Sequence, residues 1–159
     1  MLTDDKVKSL YGKHFEGYPT FTIGQGEGNK TLQTVEQIYR WLLDNDADRS
    51  SFILAFGGGI VCDVAGFVAS TFMRGVRFGF VSTTLLSQVD ASVGGKNGVN
   101  LEGFKNIVGC FNQPEFVICD PEMLLTLDER DYRSGLAEVV KHSLIADAAL
   151  FAYIEQNAD

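Results

Sequence analysis

The apolar positions of this chain change their spacing several times, and each change marks an element. PTFTI (19 to 23) is a short β-rich run closed by the turn residues of GQGEGNK, which predicts a strand and a loop. From Thr31 the residues Leu32, Val35, Ile38 and Leu42 fall at helical spacing, with Trp41 and Leu43 widening the stripe; a helix is predicted that NDADRSS ends. FILAF (52 to 56) and RFGFVS (77 to 82) are short, largely apolar runs of the kind that form parallel strands covered on both faces. Between them IVCDVAGFVASTFM (60 to 73) predicts a buried helix in which Gly66 permits close packing. TTLLSQVD (83 to 90) predicts a short helix capped by Thr83 or Ser82, and EFVICD (115 to 120) a third strand. LTDDKV reads as a turn and helix start, and VDASVGGKNGVN (89 to 100) as a glycine-rich loop.

Beyond Pro121 only helical patterns follow, in EMLLTL, DERDYRSGLAEVVKHSLI and DAALFAYIEQ. The fold class expected is α/β: a partial Rossmann-like parallel sheet domain over residues 1–120, then the start of an all-helical domain over 121–159. Both ends are expected to be cut, with a first strand and most of the helical domain lying outside the chain.

Composition narrows the function. A chain of 159 residues, 45% hydrophobic, buries one core and is too short for two full domains. Its apolar stretches fall far short of the roughly 20 residues that span a bilayer, and MLTDDK is no signal pattern, so a cytoplasmic protein with no membrane partner is expected. Cys62, Cys110 and Cys119 lack C-x-x-C spacing and are expected to be reduced, at least two of them as core filler. A net charge of −8 argues against nucleic acid as a partner. The charge is unevenly spread, however. Residues 57–110 hold Arg74, Arg77, Lys96 and Lys105 against Asp63, Asp90 and Glu102, a net +1, together with 11 of the 17 glycines. Cations and glycines kept together in an acidic chain point to a small anion bound there.

GGG at 57 to 59 falls between a predicted strand and a predicted helix, where free backbone N–H groups and the helix dipole favour a phosphate. A tight turn also wants glycine and the spacing is not G-x-G-x-x-G, so both readings stand. Asp63 suits a ribose hydroxyl; equally, it is an acid near a helix N-terminus. In the loop 89 to 100, Gly94 and Gly95 allow positive φ beside a ligand, while Lys96 and Asn100 add a cation and an amide. Lys105 and Asn106 repeat that pairing, which favours anion binding over a solvated lysine. GLAEVVKH (135 to 142) puts Glu138, Lys141 and His142 on one helix face. The plain reading is a surface ion pair, yet Glu138 lies in the otherwise uncharged LAEVV, as a metal-ligating carboxylate would. His14 and His142 are the chain's two histidines and lie in different parts, so a zinc site is not completed and His142 is expected beside the site rather than as a ligand.

Together, GGGIVCDVAGFVASTFMRG, STTLLSQVDASVGGKNGVN, KNIVGCFNQP and TLDERDYRSGLAEVVKH closely resemble, in order and spacing, the 3-dehydroquinate synthase family of sugar-phosphate cyclases. The GGG-x-x-x-D element is shared with the wider glycerol-dehydrogenase-like superfamily; VDASVGGK followed by GLAEVVK points to the synthase branch. The resemblance implies a lyase of the shikimate pathway that binds NAD and a divalent metal, zinc or cobalt. It would convert the sugar phosphate 3-deoxy-D-arabino-heptulosonate 7-phosphate into 3-dehydroquinate and phosphate through a transient ketone that acidifies the neighbouring C–H. It implies that Gly58, Gly59, Asp63, Thr83 and Thr84 hold the dinucleotide, that Thr126 and Leu127 close over it, that Asp131 touches it, that Glu27 and Lys30 reach the adenosine ribose, and that Asp4 lies near the adenine. Asp90 and Lys141 would contact substrate hydroxyls, Lys96 and Asn106 its phosphate with Lys105 beside them, and Arg74 a phosphate across a homodimer interface. Glu138 would be the metal's carboxylate ligand, the family's two histidine ligands lying beyond residue 159.

The chain departs from the family pattern at Ser82, where proline is common, at Asn97, where threonine is usual, at Leu101-Glu102 for His-Pro, and at Asp131 for glutamate. None of these removes a catalytic group. The alternatives are a cyclase acting on another heptulose phosphate and a non-catalytic nucleotide-binding module.

Overall fold

Of the runs the sequence marks as doubly covered, FILAF and RFGFVS lie side by side, paired in parallel from Phe52↔Arg77 to Gly57↔Ser82. This is a computed structural model in which residues 1–157 are described. Strands β1 (Leu2–Asp4), β2 (Phe21–Ile23), β3 (Phe52–Gly57), β4 (Arg77–Ser82) and β7 (Val117–Cys119) form one parallel sheet in the order β2-β1-β3-β4-β7. Helices α1 (Asp5–Tyr11), α2 (Leu32–Asp44) and α3 (Gly59–Thr71) cover it. Residues on alternate sides of β3 and β4 feed separate clusters. Ile53, Ala55, Phe78 and Phe80 pack with Val64, Val68 and Ile38, while Phe56 and Val81 pack with Val7 and Phe15. Burying each of these valine, isoleucine and phenylalanine side chains stabilises by about 1.5–3 kcal/mol relative to exposure. Phe52 departs from the doubly buried expectation: it lies at the rim, stacked on Phe116.

Leu2–Asp4, read from the sequence as a turn into a helix, is a strand. It pairs with β2 on one side and β3 on the other, and Thr3 is fully buried with its hydroxyl donating to the Phe56 carbonyl at 2.8 Å. Pairing on both edges makes this three-residue strand; three residues carry too little periodicity to show it. The order of strands reverses between β1 and β3, and in a parallel sheet the crevice beyond the carboxyl ends at such a point is where ligands bind.

A second correction concerns the stretch after residue 95. Instead of loop, β5 (Lys96–Leu101) and β6 (Phe104–Phe111) form an antiparallel hairpin whose β5 packs on α3. Its two-residue turn, Glu102 and Gly103, has φ of 48° and 85°, the twist that suits a tight hairpin. Glu-Gly is a weaker written signal than Asn-Gly. Val99 is fully buried, and the amide of Asn97 lies where a Cβ on Gly66 would stand, so the close packing expected at Gly66 is against this hairpin.

The segment after β4 is also more specific than the short helix expected. It winds into a π turn over Ser87–Ala91, and Thr84, rather than Thr83 or Ser82, caps it by accepting from the Ser87 N–H at 3.2 Å. Ser82 is instead buried and hydrogen-bonded to Ser92 at 2.6 Å. Pro121–Thr126 is a 3₁₀ turn, and α4 (Glu129–Ala146) and α5 (Ala148–Gln156) follow. Cys62 sits in the core, where burial pushes its thiol up to about 12; Cys110 packs against that core and Cys119 is exposed. Among the described residues no helix is long and apolar enough to cross a membrane.

Candidate functional site

Two cavities carry the candidate residues, one at the carboxyl ends of the parallel strands and one between the hairpin and the π turn. The first, about 500 Å³, lies beyond β1 and β3. Its walls include Asp4, Glu27, Gly58, Gly59, Thr83, Thr84, Thr126, Leu127 and Asp131, nine of the eleven residues assigned to a dinucleotide from the sequence. Gly59 opens α3 with backbone N–H groups free at the helix start, the arrangement that accepts a phosphate. Asp4 is also the N-cap of α1, accepting from the Val7 N–H at 2.8 Å.

The other two of the eleven, Lys30 and Asp63, lie elsewhere. Lys30 is 4% exposed and lines neither cavity; its ammonium sits 2.5 Å from Asp63 Oδ2 and 2.5 Å from Asn106 Oδ1. Burial pushes the Asp63 carboxyl above its ordinary value, and the Lys30 hydrogen bond and charge pull against that shift.

Asp63 belongs to the second cavity, about 470 Å³, together with Asp90, Lys96, Asn97, Asn106 and Phe111. The π turn presents Asp90 here. Lys96 follows Gly94 and Gly95, whose φ of 89° and 69° let the chain leave that turn and enter β5 at once. Asn97 holds this bend by donating to the carbonyls of Gly95 and Asn112, at 2.9 and 2.8 Å. Lys105 is exposed beside Asn106, and Arg74, with φ 72°, is exposed past the end of α3; neither lines the two cavities.

α4 brings the third group of side chains to the edge of the second cavity. Lys141 Nζ lies 3.6 Å from Asp90 Oδ1 and against Glu138, whose carboxylate holds the ammonium above its usual pKa, with Asp90 adding to the effect. His142 Nε2 is 3.6 Å from the same Asp90 oxygen. Donor atoms of Asp90, Glu138 and His142 all lie within 4.8 Å of one another, so His142 stands beside the site and within reach of its carboxylates. Glu138 Oε2 is buried, and the group set against it is the Lys141 ammonium. Two carboxylates and an imidazole gathered this closely make a nitrogen-and-oxygen donor set that suits a divalent cation of the zinc or cobalt kind.

Sequence reasoning missed the parts that close the first cavity. Tyr11 donates to or accepts from Thr126 Oγ1 at 2.6 Å, and Lys6 pairs with Asp128 at 3.1 Å. Neither contact has a local signal, since more than a hundred residues separate the partners. Asp128 caps α4 by accepting from the Asp131 N–H, and that bond, then Lys6, holds its carboxyl below the ordinary value. A depressed folded pKa contributes stability above the unfolded value of about 3.9 that is lost as pH falls through the folded value. Protection of the Asp131 amide, its exchange measured against the intrinsic rate at each pH, will therefore fall below that range, and Asp128→Asn, which caps without titrating, will flatten the response. An unchanged acid response in that variant would place its origin elsewhere.

The 3-dehydroquinate synthase N-terminal family model matches residues 20–134. The 3-dehydroquinate synthase of Clostridium tetani is 48% identical over 99% of this chain and 44% of its own length. The chain thus spans somewhat less than half the length of such relatives. Among solved structures, ValA, a 2-epi-5-epi-valiolone synthase from Streptomyces hygroscopicus with NAD⁺ and Zn²⁺ bound, superposes with a TM-score of 0.90 at 32% identity, covering 99% of this chain and 46% of that one. A 2-deoxy-scyllo-inosose synthase complexed with carbaglucose-6-phosphate, NAD⁺ and Co²⁺ gives 0.81 at 33% identity, over 91% of this chain and 42% of that one.

Proposed function

This chain belongs to the 3-dehydroquinate synthase family, and from that premise we propose that it supplies the cofactor half and part of the substrate half of a phosphate-eliminating lyase that forms 3-dehydroquinate. The observation that carries the reading is the juxtaposition of two cavities. One is floored by a helix N-terminus and glycines, and the other holds Asp90, Lys96 and Asn106, with Lys141 reaching Asp90 from α4. A binding module has no use for the second set.

The first cavity would hold NAD, which would supply reversible hydride acceptance and so a transient ketone whose neighbouring C–H is acidic. Gly58 and Gly59 would offer backbone N–H groups to its pyrophosphate, with Thr83 and Thr84 beside it; Glu27 and Asp4 would face its adenosine end, and Thr126, Leu127 and Asp131 would close over it. Lys96 and Asn106 would grip the substrate phosphate, and Lys105 would add positive charge where that phosphate departs. Asp90 and Lys141 would orient hydroxyls, each fixing the other's charge. Glu138, with Asp90 and His142 at hand, would hold the divalent metal, which would stabilise negative charge on substrate oxygen. Arg74, exposed and outside both cavities, would act on a phosphate across a homodimer interface. A cytoplasmic homodimer is the assembly this reading expects.

The test is phosphate release from 3-deoxy-D-arabino-heptulosonate 7-phosphate, with NAD and zinc, by this chain supplied with the C-terminal part its relatives carry. NAD-dependent release is expected. Release only from sedoheptulose 7-phosphate would move the protein to the other cyclases, two solved members of which are 32% and 33% identical to it. NAD binding without turnover of either would favour the binding module.

A further inference from the structure

Asn100 stands at an irregularity of the hairpin: the register between β5 and β6 shifts between Val99 and Leu101. A bulge releases a residue from its own ladder and re-aims it. Asn100 uses that release to pair with another segment, forming a parallel bridge with Thr31 and donating its backbone N–H to the Lys30 carbonyl at 2.8 Å. Its side chain is then spent in two opposite directions. Nδ2 donates to Glu27 Oε1 at 2.9 Å, and Oδ1 accepts from the Asn106 backbone N–H at 2.8 Å.

Both ends of this clamp matter. Glu27 lines the first cavity and opens the short 3₁₀ turn Glu27–Asn29. Asn106 lines the second and has φ of 54°, a left-handed conformation that asparagine tolerates, and its N–H is taken up by Asn100. Lys30 holds the Asn106 side-chain oxygen, leaving its amide N–H groups for a ligand. No other side chain among the described residues hydrogen-bonds both a residue of the first cavity and one of the second.

We propose that Asn100 is a positioning residue that sets the Glu27 loop and the left-handed turn at Asn106 in one register, so that the dinucleotide and phosphate sites are built together. The proposal rests on the reading of the two cavities given above. Asn100 itself touches neither ligand.

Two substitutions separate its two bonds. Asn100→Ala removes both; Asn100→Asp keeps the acceptor for Asn106 and sets a like charge against Glu27. In the 159-residue chain, hydrogen exchange at the Asn106 amide is expected to quicken about tenfold in the alanine variant and to stay near the parent in the aspartate variant. NAD affinity measured by calorimetry should fall about tenfold in both, the size of one lost hydrogen bond, and inorganic phosphate affinity should fall in the alanine variant. If Asn100→Ala is too unstable to measure, the aspartate variant still decides, because weakened NAD with a protected Asn106 amide is expected of it alone. Unchanged Asn106 exchange in the alanine variant, or undiminished NAD affinity in the aspartate variant, would overturn the clamp. A parent chain that binds no NAD would overturn the reading of the first cavity and the proposal with it, while the exchange data would still report the Asn100–Asn106 bond.

Discussion

Replacing Lys30 by methionine lowers the unfolding free energy by about 3 kcal/mol, the lower end of the cost of removing one member of a buried ion pair. Methionine fills most of the lysine's volume, so the loss is electrostatic. Lys30 is almost wholly enclosed and satisfies Asp63 and Asn106 at once; without it a carboxylate and an amide oxygen are left facing each other. The deficit depends on pH. Burial already raises the Asp63 pKa against the pull of Lys30, and removing the lysine lets it climb further. A carboxyl raised in the folded state favours folding below its unfolded value of about 3.9 and loses that advantage as pH rises through the folded value. The methionine variant is therefore weakest at neutral pH and approaches the parent near pH 4. Adding Asp63→Asn should restore about half of the loss, because the buried charge is gone. Urea unfolding at the two pH values measures all three proteins. A deficit independent of pH and unrelieved by the second substitution would mean that Asp63 is hydrated and the pair is incidental.

Substituting Gly135 by alanine is expected to cost about 2 kcal/mol, within the range for overpacking, and to disable the α4 side of the site. A Cβ there would lie 2.5 Å from Leu85 Cβ and 2.7 Å from the Leu86 backbone nitrogen. The backbone cannot swing aside, so α4 must lift from the segment that carries the π turn. Alanine's better helix propensity, worth about 1 kcal/mol, offsets part of the cost but leaves the clash. Glu138 and Lys141 ride on α4, whereas Asp90 rides on the π turn, so the distances between them widen together. In this chain extended by the C-terminal part its relatives carry, a displacement of about 1 Å should reduce turnover roughly a hundredfold. The check pairs kcat with nuclear Overhauser effects between residue 135 and Leu85. Full activity in a variant that no longer shows those effects would mean that the α4 donors are not needed in register with Asp90.

Much of this site was written in short segments. GGG between a strand and a helix, Lys96 behind two glycines and Glu138 in LAEVV each carry their own signal, because a phosphate cradle, a left-handed bend and a carboxylate on an apolar helix face need particular residues at fixed spacing. Lys30 shows the limit. GEGNK by itself reads as a loop and its ribose role comes from the family resemblance; the folded chain turns the ammonium inward between Asp63 and Asn106, and no local pattern contains that partner choice. The hairpin escaped for a related reason: Glu102-Gly103 is a weak turn signal, and β5 and β6 are stabilised by packing Val99 on α3 rather than by alternation visible in their sequence.

By itself, then, the sequence determined the α/β class, the doubly covered strands, the helical tail and the set of groups available for chemistry, since each depends on periodicity or on residue type. Only the tertiary structure decided that Leu2–Asp4 is a strand, that Asp90 is delivered by a π turn, and that Asn100 and Gly135 set the register between site segments. Those outcomes depend on contacts between residues far apart in the chain, where a two-sided strand pairing, a bulge or a missing Cβ acquires its meaning from the surface it meets.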